Sequence, residues 1–373
     1  MISLIIFISM KYKSIYVAAS SQHVGKTTST LGIVSGLKKS GVEVGYSKPV
    51  GQNHLQVNGA KVDKDAVLFA DLLDFEIIPE IHSPVILAKG ATKIILDNPH
   101  EYRKKLDDMI MHAKKELNES VDVVIYEGTG HVGVGSVANL SNARVAKMLD
   151  AEVIMIVEGG IGSTIDMLNM CLSLFREEGV PIIGVIVNKV LPEKIEMVHN
   201  YVGKWLDTQG IKLLGVIPYD KTLGYPLIWT ISKAIGGKFE AFEARGYQKI
   251  DKIMAGSLVK NEDLEEGEDI LLIVSSRVID SSIQKIIAFH QEKGLDKSPI
   301  AGIVVTGEGE LSEQSLDFIN ENKIPLIRTN LDTYAVVVKF SKLEVKINRK
   351  TPWKISKAIE LINENVELDS ILT

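Results

Sequence analysis

Short runs rich in Val and Ile constrain this chain more than any other feature of its sequence. The runs show little polar alternation, and stretches with helical spacing of apolar residues separate them. Strands buried on both faces have this pattern, because helices cover both sides of a parallel sheet. In the first part of the chain the runs are Ile15–Ala19, Val42–Ser47, Val121–Tyr126, Glu152–Val157, Ile182–Val187 and Leu213–Ile217. They predict a doubly wound α/β domain with a parallel sheet.

A second, smaller α/β series begins after Asp269. Its predicted elements are strand Ile270–Val274, helix Ser281–Lys293, strand Ile300–Val305, helix Leu311–Asn322, strand Ile324–Ile327 and a final helix around Trp353–Asn365. Gly-rich and acidic stretches precede this series, as is typical of linkers, with a helical segment near residues 245–258. We therefore predict a first domain over residues 12–235, a linker with a short helix over 236–268, and a second domain over 269–373.

Composition excludes several classes of protein. A length of 373 residues favours two or three domains, and a formal net charge of −6 does not indicate a nucleic-acid partner. The single cysteine, Cys171, excludes a disulfide framework, fits the cytoplasm, and is expected to be buried on a helix. Residues 1–9 are apolar but too short to span a bilayer. We interpret them as the product of a translation start upstream of the true one, or as an extra edge segment. We expect no membrane association.

The strongest local motif lies between the first predicted strand and helix. Phosphate-binding loops need inward-pointing backbone N–H groups, a close-approach glycine, a lysine for the phosphates and a hydroxyl for Mg²⁺. Gly25, Lys26 and Thr27 supply these parts, although Ser20 stands where the strict pattern has its first glycine. We predict a P-loop that binds ATP with Mg²⁺. Its candidate cofactor-binding residues are Gln22, His23, Val24, Gly25, Lys26, Thr27 and Thr28, with His23 serving as a backbone spacer.

Other polar side chains follow predicted strands or open a helix. Glu127 directly follows a strand, which places a candidate Mg²⁺ or water-positioning carboxylate on the ligand side of the sheet. Lys48 also follows a strand and could neutralise a transferring phosphoryl group, although spacing alone favours a solvated lysine. Asp65 opens an amphipathic helix, where an acid favours the helix dipole. Asn188 follows another strand, where an amide could recognise a base. The glycines after Glu127 fit either a flexible loop or close approach to a substrate.

These motifs together resemble the dethiobiotin synthetase-like branch of P-loop proteins. The quoted runs are Ser21-Gln-His-Val-Gly-Lys-Thr, Tyr46-Ser-Lys-Pro-Val-Gly, Lys64-Asp-Ala, Tyr126-Glu-Gly-Thr-Gly, Val187-Asn-Lys and Gly215-Val-Ile-Pro. The version most similar is the N-terminal part of long bacterial phosphate acetyltransferases, in which a DRTGG domain follows. The second domain resembles that DRTGG domain at Leu271-Leu-Ile-Val-Ser-Ser-Arg-Val-Ile-Asp, Ala301-Gly-Ile-Val-Val-Thr-Gly and Asn330-Leu-Asp-Thr-Tyr.

The sequence also departs from these families at specific points. The acetyltransferase catalytic domain of the long enzymes has no counterpart before Thr373, so acetyl transfer is not expected of this chain alone. Ser276 precedes Arg277 where the DRTGG family usually has Asp, which weakens the expectation of a ligand there. Ser21 replaces the signature lysine of partitioning ATPases and disfavours a partitioning role.

The resemblance implies roles for the candidate residues. Lys26 and Thr27 would hold the phosphates and Mg²⁺, with Asp65 and Glu127 completing the metal site. Lys48 would face a second substrate, and Asn188 would contact the adenine. Lys26 and Lys48 are therefore the expected catalytic residues, and a dimer is the oligomer that the resemblance implies.

Three functions remain open from the sequence. The first is a nucleotide-dependent regulatory or sensor ATPase that acts on a partner enzyme or through self-association. The second is an ATP-dependent ligase of the dethiobiotin synthetase or cobyrinic acid amidase type, which activates a carboxylate or carbamate for attack by an amine. The third is a scaffold with an inactive P-loop, which the Gly25-Lys26-Thr27 run disfavours.

Overall fold

The protein is described here by a computed structural model. It describes residues 12–255, 269–294, 298–343, 345 and 347–372, so the predictions for residues 1–9 lie outside it. Contacts divide the chain into two compact units. Unit 1 combines the described residues up to Tyr219 with those from Ile347 onward, and unit 2 covers the described residues from Asp220 to Lys346.

Strands and helices alternate along most of the described chain. The strands are β1 (Ser14–Ala19), β2 (Val44–Ser47), β3 (Val50–Gly51), β4 (His54–Val57), β5 (Ala60–Asp63), β6 (Val85–Ile86), β7 (Val123–Glu127), β8 (Glu152–Glu158), β9 (Ile182–Val190), β10 (Leu213–Pro218), β11 (Lys238–Ala241), β12 (Lys252–Ala255), β13 (Ile270–Ser275), β14 (Ile300–Thr306) and β15 (Leu326–Thr329). The helices are α1 (Lys26–Lys39), α2 (Lys64–Leu73), α3 (Pro79–His82), α4 (Ala91–Asp97), α5 (Pro99–Ser120), α6 (Asn142–Leu149), α7 (Gly162–Glu178), α8 (Ile195–Thr208), α9 (Ile228–Ile235), α10 (Ile279–Lys293), α11 (Glu313–Glu321), α12 (Thr333–Ser341), α13 (Pro352–Asn365) and α14 (Asp369–Leu372).

A six-stranded parallel sheet organises unit 1. Its strand order is β10-β9-β8-β1-β7-β2, so β1 lies between two strands that follow it much later in the chain. This makes β1 the point where the strand order reverses, and ligands of open α/β sheets bind beyond the carboxyl ends of strands at such points. The strands are buried throughout their central residues because helices pack on both faces. The predicted doubly wound fold is confirmed.

A second sheet, with order β11-β15-β14-β13-β12, organises unit 2. Strands β12 to β15 are parallel, and β11 is antiparallel at the edge. Alternate residues of β13 enter different cores: Ile270 and Leu272 pack with α10 and α11, whereas Leu271 and Ile273 pack with α9 and α12. Helices therefore cover both faces of the sheet, which explains the unbroken apolar run in the sequence.

The structure divides the chain differently from the predicted boundaries. Helix α13 and the residues after it belong to unit 1, where Ile362 packs directly on Gly32 of α1. Helix α9 and strands β11 and β12, predicted to close the first domain and form a linker, belong to unit 2. A terminal helix reads from sequence as part of the domain before it, because periodicity does not reveal which core receives its apolar face.

Two local features also differ from prediction. The helix expected near residues 245–258 is absent from its described part, which contains a short 3₁₀ turn at Glu243–Arg245 and then β12. Its last three residues lie outside the described residues. The β4–β5 hairpin was not predicted, although Asn58-Gly59, with φ of 49° and 83°, is a typical two-residue hairpin turn.

Two sequence expectations about burial and membranes can also be compared with the structure. Cys171 is buried on α7 as predicted, and burial raises the pKa of its thiol to about 11. Within the described ranges, every helix is too short or too polar to cross a bilayer.

Candidate functional site

The predicted P-loop connects β1 to α1 at the carboxyl edge of the first sheet. Gly25, with φ of 99°, ends the loop in the left-handed region that favours glycine. A Cβ at this position would collide with the side-chain amide of Asn188. Among the described residues no side chain caps the start of α1. The first N–H groups of the helix therefore face the loop, as anion sites at helix N-termini require.

Lys26 and Thr27 begin α1 and point to different parts of the site. Lys26 Nζ donates to the backbone carbonyl of Gly130 at 2.6 Å and to that of Ser21 at 3.3 Å. Thr27 Oγ1 donates to Glu127 Oε1 at 3.0 Å. These contacts connect the P-loop to the segment that follows β7, which is the strand beside β1.

A buried charge cluster lies next to Thr27. Lys48 Nζ is 2.9 Å from Glu127 Oε1 and also forms an ion pair with Asp65. Glu127 is fully buried and Lys48 is 5% exposed, whereas Asp65 is partly exposed. The adjacent order β1-β7-β2 explains the cluster, because it brings together the residues that follow these three strands. Helix α2 supplies Asp65, and the Asp63 side chain caps this helix.

The protonation of the cluster follows from burial and mutual charge. Burial raises the pKa of Glu127, while the Lys48 ammonium opposes that change. Burial alone would lower the pKa of Lys48, but the carboxylates of Asp65 and Glu127 outweigh it and hold that pKa well above its usual range. Lys48 is therefore a permanent cation at neutral pH, and the solvated lysine that spacing favoured is not what the structure contains.

The remaining predicted P-loop residues divide between solvent and core. Gln22 and His23 are exposed, and the His23 backbone is left-handed with φ of 62°. Val24 is buried, and Thr28 is partly buried on the first turn of α1. All of them lie on the loop or the first helical turn, and their contact with a nucleotide stays a prediction.

Asn188 is buried beneath the P-loop. Its Nδ2 donates to the Val24 carbonyl at 2.8 Å, and its Oδ1 accepts from the backbone N–H of Lys189 at 2.9 Å. These contacts fix the loop from the side of β9. Contact between Asn188 and adenine stays a prediction.

Sequence reasoning did not assign a site role to three groups found here. Tyr46 packs against Phe69 with ring centroids 3.9 Å apart, and its hydroxyl lies 3.5 Å from Glu127 Oε2. The carbonyls of Ser21 and Gly130 receive the Lys26 ammonium. Tyr46 was detectable in principle, because it lies two residues before Lys48 on a strand next to β7. The two carbonyls could not be predicted, because every residue type has a backbone carbonyl.

The donor set can be tested against Mg²⁺. Among the described residues, no three His, Cys, Asp or Glu side chains form a metal-binding group. The site offers instead one hydroxyl and two carboxylates, from Thr27, Asp65 and Glu127, in mutual contact through Lys48. Mg²⁺ is usually held by one or two carboxylates together with nucleotide phosphates and water. These residues therefore fit Mg²⁺ with a nucleotide better than a metal held by protein alone.

Fold and loop together define the class: this is a P-loop NTPase fold joined to a second, smaller α/β unit. The chain belongs to the AAA domain family, whose model matches residues 13–226. Residues 264–343 match the model of the DRTGG domain. The predicted pairing of the two domains is confirmed.

Some curated relatives match the chain over both parts, and others over little more than half of it. The phosphate acetyltransferase of Synechocystis sp. is 22% identical, covering 96% of this chain and 51% of its own length. The probable cobyric acid synthase of Methanocaldococcus jannaschii is 27% identical, covering 57% of this chain and 46% of its own length. The chain thus spans about half the length of these relatives. The MinD cell division protein of Aquifex aeolicus aligns at 16% identity and a TM-score of 0.37, covering 57% of this chain and 84% of MinD.

Proposed function

We propose that this protein binds ATP with Mg²⁺ on the P-loop and acts as a nucleotide-dependent regulatory ATPase. The observation that carries the binding proposal is the buried array at the end of the loop. Thr27, Glu127 and Lys48 form a continuous hydrogen-bonded row, with Asp65 paired to Lys48 at its end. A buried ionic group is costly unless it is paired, so such an array is more typical of a ligand site than of a structural core.

Each side chain has a separable task in this proposal. Lys26 would keep the Gly130 carbonyl and exchange the more distant Ser21 carbonyl for the phosphates, with the N–H groups of α1 beside it. Thr27, Asp65 and Glu127 would hold Mg²⁺, which when bound neutralises phosphate charge. Lys48 keeps its charge inside the site and would neutralise an anionic group close to the terminal phosphate. These tasks amount to positioning and charge stabilisation, which dominate phosphoryl transfer.

The regulatory part of the proposal is supported by the second unit. The alignment with the Synechocystis phosphate acetyltransferase extends across both parts of the chain rather than the P-loop part alone. We propose that a partner enzyme or a second copy of the chain receives the nucleotide signal, with a dimer as the expected assembly.

Titration of the purified protein with Mg-ATP tests the binding step. We expect saturable heat in calorimetry and broadened ³¹P resonances of ATP. Lys26→Ala should weaken binding by about 100-fold or more, because it removes the cation that meets the phosphates. Lys39→Ala, at the other end of α1, is the matched control and should bind as the wild type does. Equal affinity in wild type and Lys26→Ala would reject the site.

A second candidate function is an ATP-dependent ligase that activates a carboxylate or carbamate. The observation that favours it is Lys48, a buried cation beside the P-loop hydroxyl that could receive an anionic acceptor. The match to a probable cobyric acid synthase is consistent with this class. ³¹P NMR with bicarbonate plus diamines, and with carboxylates plus amines, distinguishes the two functions. Phosphate release over many turnovers with one acceptor alone would establish the ligase, whereas binding without turnover supports the regulator.

A further inference from the structure

The side chain of Asn142, the first residue of α6, makes four hydrogen bonds inside unit 1. Its Oδ1 accepts from the Tyr16 hydroxyl at 2.8 Å and from the Thr129 N–H at 3.0 Å. Its Nδ2 donates to the carbonyls of Thr129 at 3.0 Å and His131 at 2.7 Å. The residue is 3% exposed. Both lone pairs and both N–H groups are thus used, and only a side-chain amide offers this set at one position.

These bonds hold the peptides on either side of Gly130. The carbonyls of Thr129 and His131 flank the Gly130 carbonyl, which accepts from the Lys26 ammonium at 2.6 Å. Gly130 itself has φ of 62°, a conformation that favours glycine and leaves the segment dependent on outside support. The amide therefore fixes the carbonyl that sets the position of the P-loop lysine.

The start of the same segment is shaped around the amide. A Cβ at Gly128 would collide with Asn142 Oδ1 and with the Tyr16 ring, so the backbone approaches the amide closely. The Gly128 N–H donates to the Val17 carbonyl at 2.9 Å, and the N–H of Asn142 donates to Val132 at 2.9 Å. The segment from Glu127 to Val132 is consequently attached to β1 and α6 at successive peptides.

We propose that Asn142 is a positioning residue for nucleotide binding, acting through the Gly130 carbonyl on Lys26. It does not contact the nucleotide. Its amide keeps residues 128–131 in the one conformation in which Lys26 and Glu127 both face the P-loop. The proposal rests on the proposed function, because it concerns the same nucleotide site.

Asn142→Asp tests this role through its pH dependence. A carboxylate can accept from Tyr16 and Thr129 as the amide does, but it meets the Thr129 and His131 carbonyls with negative charge instead of N–H groups. We expect Mg-ATP affinity about 10- to 100-fold below wild type at pH 8.5. The deficit should shrink as the pH falls toward 6, because the protonated carboxyl can donate one hydrogen bond. The ratio of variant to wild-type Kd, measured by calorimetry at each pH, removes the titration of ATP itself.

A purely structural role is separated by two further measurements. Val202→Ala, at a fully buried position on α8 outside this segment, should lower stability while leaving the Kd unchanged. Tyr16→Phe removes one of the four bonds without adding charge, and we expect a Kd about 3- to 10-fold weaker. Asn142→Asp or Tyr16→Phe that folds and binds Mg-ATP within twofold of wild type across the pH range would overturn the proposal.

Amide hydrogen exchange in the nucleotide-free protein keeps this test apart from that of the proposed function. Both variants keep an acceptor for the Thr129 N–H but remove other bonds that hold the segment. Local opening should therefore accelerate exchange at Thr129 in both variants and leave it at the wild-type rate in Val202→Ala. Unchanged Thr129 exchange overturns the positioning role whether or not ATP binds. If the wild type fails to bind Mg-ATP while exchange at Thr129 is faster in both variants, the proposed function is rejected. The role of Asn142 in ordering the segment would then still hold.

Discussion

Units 1 and 2 are both parallel α/β layers, yet they differ in what they bury. Unit 1 encloses Lys26, Lys48 and Glu127 at the carboxyl edge of its sheet. The buried polar side chains of unit 2, among its described residues, are all hydroxyls: Ser232, Ser282, Ser298, Thr306, Ser315 and Thr329. A buried hydroxyl can form a hydrogen bond with a nearby backbone group, whereas a buried charge is costly unless it is paired. The difference agrees with the proposal of a nucleotide site in unit 1.

The largest expected effect comes from removing the central cation of unit 1. Lys48→Met removes the cation that Glu127 and Asp65 share, and we expect a loss of about 3–5 kcal/mol in the free energy of unfolding. Urea denaturation measures it. Adding Glu127→Gln to the variant should recover part of the loss. A loss below about 1 kcal/mol would mean that water screens these charges. The two units would then differ less in the cost of their buried polar groups than the burial of the charges indicates.

A second prediction tests which core receives the C-terminal helix. Ile362→Ala removes a fully buried side chain of α13, and we expect a loss of about 3 kcal/mol. Amide exchange should accelerate in α1, against which Ile362 packs. The matched variant Ile286→Ala, fully buried on α10, should instead accelerate exchange in β13 and β14. Faster exchange of the second sheet in Ile362→Ala would return α13 to the domain predicted from sequence.

Acid should lower the stability of the wild type more than that of a variant without the buried His82. His82 accepts a hydrogen bond from the Ile78 N–H and stacks on Phe75, and burial lowers its pKa to about 4. The unfolded chain takes up this proton near pH 6.5 but the folded protein does not, so stability falls as the pH drops from about 6.5 to 4. Between pH 7 and pH 4 the wild type should lose about 3 kcal/mol more than His82→Gln. Parallel urea curves at the two pH values measure the difference, and identical losses would contradict it.

The smallest effect is expected from an ion pair of unit 2 that joins Arg328 to Glu240. Arg328 Nε lies 2.5 Å from Glu240 Oε1, with both side chains partly exposed. Arg328→Met should therefore cost less than about 1 kcal/mol, and its cost should diminish further in high salt. Urea curves at low and high salt check this. A cost comparable to that of Lys48→Met would remove the contrast between the two units.

The sequence predicted the sheets well because their signal is local. Continuous runs such as Ile15–Ala19 and Ile300–Val305 are short and rich in β-branched residues, which favours strands buried on both faces over helices. The P-loop was equally visible, since its residues are consecutive. The environment of Lys48 was not, because its partners Asp65 and Glu127 approach it only through the strand order β1-β7-β2. Residue spacing carries no information about that strand order. The expected role of Lys48 therefore came from the family resemblance.

The domain boundary was missed for a related physical reason. Helix α13 has an ordinary apolar face, and nothing in its periodicity distinguishes the Gly32 surface of α1 from a surface of unit 2. The segment at residues 245–255 shows the same limit at shorter range, because apolar residues near a turn suit either a helix or the edge strand β12.

The return of α13 to α1 has a consequence for synthesis on the ribosome. Domains usually fold in order as they emerge, with the N-terminal one first. Here the Gly32 face of α1 is translated roughly 330 residues before Ile362, which at about 5–20 residues per second corresponds to a delay of tens of seconds. During that interval unit 2 can emerge and fold while the P-loop helix still lacks its cover. Translation of unit 1 therefore begins before that of unit 2, but the core of unit 1 is completed later.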